Sequence, residues 1–207
     1  MFEAEFVIKV CGVTSVADAH MAVDAGANAL GFNFYSGSPR YLTTSEARKI
    51  AVALGTDILR VGVFLNASIA DLAAIAAEVP LDVLQLHGTA PVVPDGFRHK
   101  IWRAIHVANG RVTEPAGPAQ AYLVDSMSPG SGQTFDWSYV RGFPHRMIVA
   151  GGLDGMNVAQ AIAALHPWGV DACSRLESAP GRKDARRVQE FVSAARAAAA
   201  EQKLVSL

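Results

Sequence analysis

The sequence predicts a single α/β domain, residues 1–207, closed as a (β/α)8 TIM barrel. Three observations predict it. Short β-branched and aromatic runs alternate with Ala-rich stretches of helical periodicity along the chain, the rhythm of βα units around a parallel sheet. There are eight such runs, whereas an open doubly wound sheet uses about five or six strands. The first turn, Cys11-Gly12-Val13-Thr14, also lacks the GxGxxG that commonly opens such sheets.

The elements follow in order. FVIKV predicts strand one over 6–10, and Thr14 is the candidate cap for a helix over 16–25. Strand two covers 29–34 with a helix over 44–54, and strand three covers 59–64 with a helix over 69–79. Strand four is 83–86. The next two gaps resist helix formation: TAPVVPDGFRHK carries two Pro and one Gly, and ANGRVTEPAGPAQ two of each. At about 3 kcal/mol per internal Pro, helices four and five are expected to be shortened or replaced by loops. Strand five is 101–107 and strand six 121–124, followed by a small helix near 137–141. Strand seven is 147–150 with a helix over 156–165. Strand eight is 170–173, and an Ala-rich closing helix over 184–202 is capped near Lys183-Asp184. The missing helices explain how eight strands fit into 207 residues when such barrels take about 250.

Composition narrows the function. The chain is 51% hydrophobic, enough for one core, and its 18 basic and 19 acidic residues leave a formal charge of -1. No global basic field draws a nucleic acid or an anionic lipid, so an anionic ligand needs locally placed cations. The longest uncharged stretch, 155–170, is too short and too broken by His166 and Pro167 to span a bilayer. The N-terminal MFEAEFVIKV lacks a basic leader region, so a cytoplasmic protein is expected. Two distant cysteines make no disulfide framework and are read singly, and no His/Cys spacing suggests a metal.

In such barrels chemistry gathers where the strands end. Cys11 follows strand one, and period-2 alternation puts it on one face with Lys9; it reads either as a small buried hydrophobe or, once deprotonated, as a base or nucleophile. Asp125 ends YLV beneath the SMSPGSGQT segment and reads as an acid or as an ordinary turn residue. Gly151 and Gly152, with Ser174 and Arg175 in the eighth-strand turn, lie where many barrels hold a phosphate. Arg40, behind Pro39, is either a carboxylate clamp or a solvated side chain. His87 and His106 each read as a satisfied core or turn histidine, His106 above all.

The ordered motifs KVCGVT (9–14), AGANALGFNFYSGSPRYL (25–42), VGVFLN (61–66), LQLHG (84–88), LVDS (123–126), GQTFDW (132–137), VAGGLDGMNV (149–158) and APGRKD (179–184) resemble the phosphoribosylanthranilate isomerases. The resemblance implies an Amadori rearrangement of N-(5'-phosphoribosyl)anthranilate to 1-(2-carboxyphenylamino)-1-deoxyribulose 5-phosphate in tryptophan biosynthesis, without metal or cofactor. It maps the general acid onto Asp125 and the general base onto Cys11. Substrate-binding positions are Arg40 for the anthranilate carboxylate, His87, and Gly151, Gly152, Ser174 and Arg175 around the phosphate. The expected partner is this anionic aminosugar phosphate, bound to a monomer or homodimer.

Acid and base need opposite protonation states. Lys9 is expected to favour a Cys11 thiolate or else to pair with Asp171, and loop closure to desolvate Asp125. The chain departs from the family where Arg175 replaces a glycine, at Pro129, at Gln133 and at His106. Arg175 either adds charge to the phosphate end or blocks it. The alternatives are a paralogous sugar-phosphate isomerase with a remodelled phosphate site and a non-catalytic binding barrel. A histidine-pathway isomerase would place Asp where Cys11 stands.

Overall fold

The computed structural model describes residues 6–89, 91–94, 97–108, 111–112, 117–125 and 136–205. Eight strands pair in parallel and close on themselves: β1 (Val7–Cys11), β2 (Ala29–Asn33), β3 (Leu59–Leu65), β4 (Val83–His87), β5 (Lys100–Ala108), β7 (Ala121–Asp125), β8 (Met147–Val149) and β9 (Gly169–Ala172). The β4–β5 and β9–β1 pairings complete the ring. A two-residue strand, β6 (Arg111–Val112), folds back on the end of β5, and a hairpin of β10 (Glu177–Ala179) and β11 (Arg182–Lys183) follows β9. Every predicted barrel strand is present, its ends shifted by at most one residue.

Helices α1 (Val16–Ala25), α2 (Thr44–Ala53) and α3 (Ile69–Glu78) follow the first three strands. Thr43 and Ser68 cap α2 and α3 in reciprocal capping boxes with Glu46 and Asp71. The cap of α1 is Ser15, which accepts the Asp18 amide; Thr14 instead donates its hydroxyl to the Gly181 carbonyl, correcting the expected assignment. Among the described residues no helix follows β4 or β5, and a 3-10 turn, Trp137–Val140, follows β7. Arg103 covers part of the gap. This outward side chain on β5 is buried, and it donates to the carbonyls of Pro91 and Pro118 from the two segments that lack helices.

Helix α4 (Val158–Leu165) begins later than expected, because Asp154 accepts the Met156 and Asn157 amides in a turn preceding the helix. Helix α5 (Ala185–Val205) closes the ring, and Asp184 accepts the Arg187 amide at its start.

Strand alternation divides the interior in two. Ile8, Val10, Leu30 and Phe32 face Ile50, Leu72, Ile162 and Phe191 of the helices, while Val7, Leu59, Val83, Trp102 and Ile148 fill the barrel floor. The apolar floor leaves the polar inward residues at the opposite end of the strands, where the site lies.

Candidate active site

Strand β1 turns Lys9 and Cys11 inward, as alternation requires, and both are buried. Gly31 on β2 makes the room: a Cβ there would stand 2.6 Å from the Cys11 sulfur and 3.1 Å from Lys9 Nζ. Both roles expected for Lys9 are present: it pairs with Asp171 at 2.9 Å while fully buried, and its charge also acts on Cys11. Burial alone would favour a neutral amine, but the charges of Asp171 and Cys11 outweigh it and hold Lys9 above its ordinary pKa. Asp171 is pushed up to about 7, chiefly by burial and against the pull of Lys9.

The cysteines, read singly in the sequence, are neighbours. In the β1–β9 register Lys9 lies opposite Asp171 and Val10 opposite Ala172, so the register carried one residue past the end of β9 sets Cys173 beside Cys11. A hydrogen bond from the Cys173 thiol holds Cys11 well below the usual thiol range; burial opposes this, and the charges of Lys9 and Lys183 assist. The same bond, with burial, raises Cys173. Cys11 thus has the character of a thiolate, the role expected of a base.

Arg40 is already engaged and is not a solvated side chain. Its Nε and Nη2 donate to the two carboxylate oxygens of Glu177, each at 2.8 Å, so this edge of the fork is already taken. A substrate carboxylate is left the edge formed by Nη1 and Nη2. Glu177 also accepts from Lys183 Nζ at 2.9 Å, and both side chains are buried. Burial alone would raise the Glu177 pKa, but the bonds from Arg40 and Lys183 hold it below the usual carboxylate range. Gly12, at φ 68°, lets this arrangement close: a Cβ there would meet Arg40 Cδ at 2.5 Å and the Cys173 sulfur at 2.9 Å.

Asp125 ends β7, nearly buried, beside His106 in the β5–β7 register. His87 is partnered by Gln85, whose amide lies 2.7 Å from Nε2, and burial pushes its pKa down to about 3. It therefore faces the cavity as a neutral imidazole rather than as a cation, with Nδ1 as its donor. Cys11, Arg40, His87, His106 and Asp125 line one cavity of about 540 Å3.

A smaller recess of about 40 Å3 adjoins it, lined by Gly151, Gly152, Ser174 and Arg175 and sharing Asp125, Asp171 and Cys173 with the larger one. Gly151 and Gly152 both have positive φ, at 85° and 64°. Asn157 pins their turn by donating to the Gly152 carbonyl at 2.9 Å. The recess lies at this glycine turn rather than at the start of α4, where Asp154 already holds the preceding amides. Arg175 does not fill the recess. Its side chain is 45% exposed and pairs with Asp154 at 3.0 Å, which keeps a cation at the rim.

All eight singled-out positions thus line two adjoining cavities. Sequence reasoning gave no role to Gln85 or Lys183, though the LQLHG and APGRKD motifs contain them, and it missed Glu177, which nothing local marked. Residues 126–135, with Pro129 and Gln133, lie outside the described residues. No group of three or more His, Cys, Asp or Glu among the described residues is arranged to hold a metal, and no helix among them is long and apolar enough to cross a membrane.

The chain is similar to known proteins over most of its length. Residues 8–194 match the family described as N-(5'phosphoribosyl)anthranilate (PRA) isomerase. The N-(5'-phosphoribosyl)anthranilate isomerase of Solibacter usitatus is 45% identical over 199 residues, spanning 93% of this chain and 98% of the relative. The crystal structure of the Thermus thermophilus phosphoribosyl anthranilate isomerase superposes with a TM-score of 0.84 at 33% identity, covering 92% of this chain and 98% of that one. A second structure, of a phosphoribosyl anthranilate isomerase in complex with reduced 1-(o-carboxyphenylamino)-1-deoxyribulose 5-phosphate, matches at TM-score 0.79 and 31% identity, covering 92% and 98%.

Proposed function

The chain belongs to the N-(5'-phosphoribosyl)anthranilate isomerase family, and from that premise we propose how its own residues carry out the reaction. The enzyme catalyses the Amadori rearrangement of N-(5'-phosphoribosyl)anthranilate to 1-(2-carboxyphenylamino)-1-deoxyribulose 5-phosphate in tryptophan biosynthesis.

The substrate lies across both cavities, its phosphate in the recess and its anthranilate ring toward Arg40. Backbone amides of the Gly151-Gly152 turn and of Ser174 hold the phosphate, and Arg175 adds positive charge from the rim. The free edge of Arg40 takes the anthranilate carboxylate, its orientation fixed by Glu177 behind it. His87 contributes a neutral donor beside the sugar.

Between the two ends stand the proton-transfer groups. Asp125 gives its proton to the furanose ring oxygen, and the ring opens to an iminium. The iminium acidifies the C2' hydrogen, the Cys11 thiolate removes it, and the resulting enolamine tautomerises to the ketone. Lys9 and Cys173 act through Cys11 by stabilising its negative charge.

One observation carries this reading: Cys11, set well below the usual thiol range, opens on the same cavity as Asp125, on strands three apart around the barrel. The test is to mix purified protein with freshly made phosphoribosylanthranilate and follow the loss of its fluorescence. The wild type is expected to consume it and Cys11→Ala to stay at background. A Cys11→Ala rate equal to wild type would remove Cys11 from the mechanism.

A further inference from the structure

Cys173 has no proton-transfer role above, yet the barrel closes with its sulfur beside the one that does. Neighbouring strands run about 4.8 Å apart, and residues sharing a rung there fall within the roughly 4.4–6.8 Å Cα separation that a disulfide spans. The two sulfurs act on each other electrostatically and open on the same cavity, so a small oxidant reaching one reaches both. Lys183 Nζ lies 3.8 Å from the Cys173 sulfur, a cation to stabilise the developing thiolate, and Glu177 Oε1 lies 3.9 Å from it. The chain has two cysteines, so an intramolecular disulfide has one composition.

We propose that Cys11 and Cys173 form a peroxide-sensitive dithiol, with Cys173 as the resolving thiol whose disulfide reversibly switches the isomerase off. The Cys11 thiolate attacks hydrogen peroxide, breaking the O–O bond to give a sulfenic acid and hydroxide. The Cys173 sulfur then attacks the Cys11 sulfur, an S–S bond forms, and the sulfenic oxygen leaves as water with the thiol proton. Overall two thiols and one peroxide become one disulfide and two waters, the sulfurs losing two electrons to the peroxide oxygens. A dithiol reductant reverses the step. The loss of turnover rests on the reading of Cys11 as base; disulfide formation does not.

The experiment treats reduced full-length protein with hydrogen peroxide, alkylates it, and reads turnover and peptide masses before and after dithiothreitol. In the wild type the Cys11 and Cys173 peptides are expected to be linked, about 2 Da lighter than the pair. Turnover is expected to fall at least about tenfold and to return on reduction. In Cys173→Ser, each rate being taken against its own untreated value, Cys11 gains about 32 Da as the sulfinic acid and dithiothreitol restores nothing. Wild-type protein that gains about 32 Da on Cys11 while Cys173 stays alkylatable, or that links only between chains, overturns the inference. A linked peptide with unchanged turnover overturns the assignment of Cys11 as base, and the inactivation with it.

Discussion

Lys9→Met separates what holds the thiolate from what holds the fold. Methionine keeps the length of the side chain that Gly31 accommodates, but removes the charge beside Cys11 and Asp171. An ordinary thiol, of pKa about 8.5, is about 3% ionised at pH 7, so a Cys11 that lost all its help would lose about thirtyfold in thiolate. The hydrogen bond from Cys173 and the charge of Lys183 remain in the variant, so turnover at pH 7 is expected to fall by about three- to tenfold, short of that limit. The iodoacetamide alkylation midpoint should rise by about one pH unit, measured between pH 6 and 8.5.

Stability follows a different line. Asp171, raised by burial to about 7, holds its proton below that pH in the fold and releases it near 3.9 when unfolded. Its favourable share is therefore complete below about 3.9 and lost as pH rises through about 7, and losing Lys9 should steepen that loss. Urea denaturation at pH 6 and pH 8.5 should show the variant destabilised more at the higher pH. An unchanged alkylation midpoint, with turnover within about twofold of wild type, would refute the argument that Lys9 supports the thiolate.

Three further outcomes follow. Glu177→Ala leaves Lys183 buried without its carboxylate, so it should lose about 3–5 kcal/mol, with a melting point lower by about 2–4 °C for each kcal/mol; adding Lys183→Met should recover part of the loss, and a loss below about 1 kcal/mol would contradict the assignment. Arg40→Lys keeps a charge but loses the fork, so KM should rise about tenfold or more; an unchanged KM would confine Arg40 to holding Glu177. His87, neutral in the fold down to about pH 3, binds its proton only after unfolding between about 3 and 6.5, so it supports stability above about 6.5 and that support fades on acidification. Its imidazole NMR shifts should stay at neutral values from pH 8 to 5, and a midpoint near 6.5 would reject the burial argument.

The fold was legible because a barrel strand buried on both faces must be an apolar run, and such runs have sharp ends. The pairing of Lys9 with Asp171 was also legible, since parity fixes the inward side chains and closure makes the first and last strands neighbours. Helix α4 was placed too early because Asp154 followed by Asn157 imitates a cap while serving a turn. The Arg40–Glu177 pair was illegible for another reason. It joins residues 137 apart, through a short hairpin with no apolar pattern to mark its carboxylate as buried. The same parity puts Cys173 on one face with Asp171 and beside β1, so the place of the second cysteine was legible too, although the two cysteines were read singly.

The acid–base division rests on Asp125 acting in chemistry rather than in binding. The direct measurement compares Asp125→Asn with wild type for turnover of fresh phosphoribosylanthranilate and, by titration, for affinity toward the product. Turnover should fall by about 10²–10⁴ while product affinity changes by no more than about threefold. Turnover within about twofold of wild type would contradict the account, whatever the affinity.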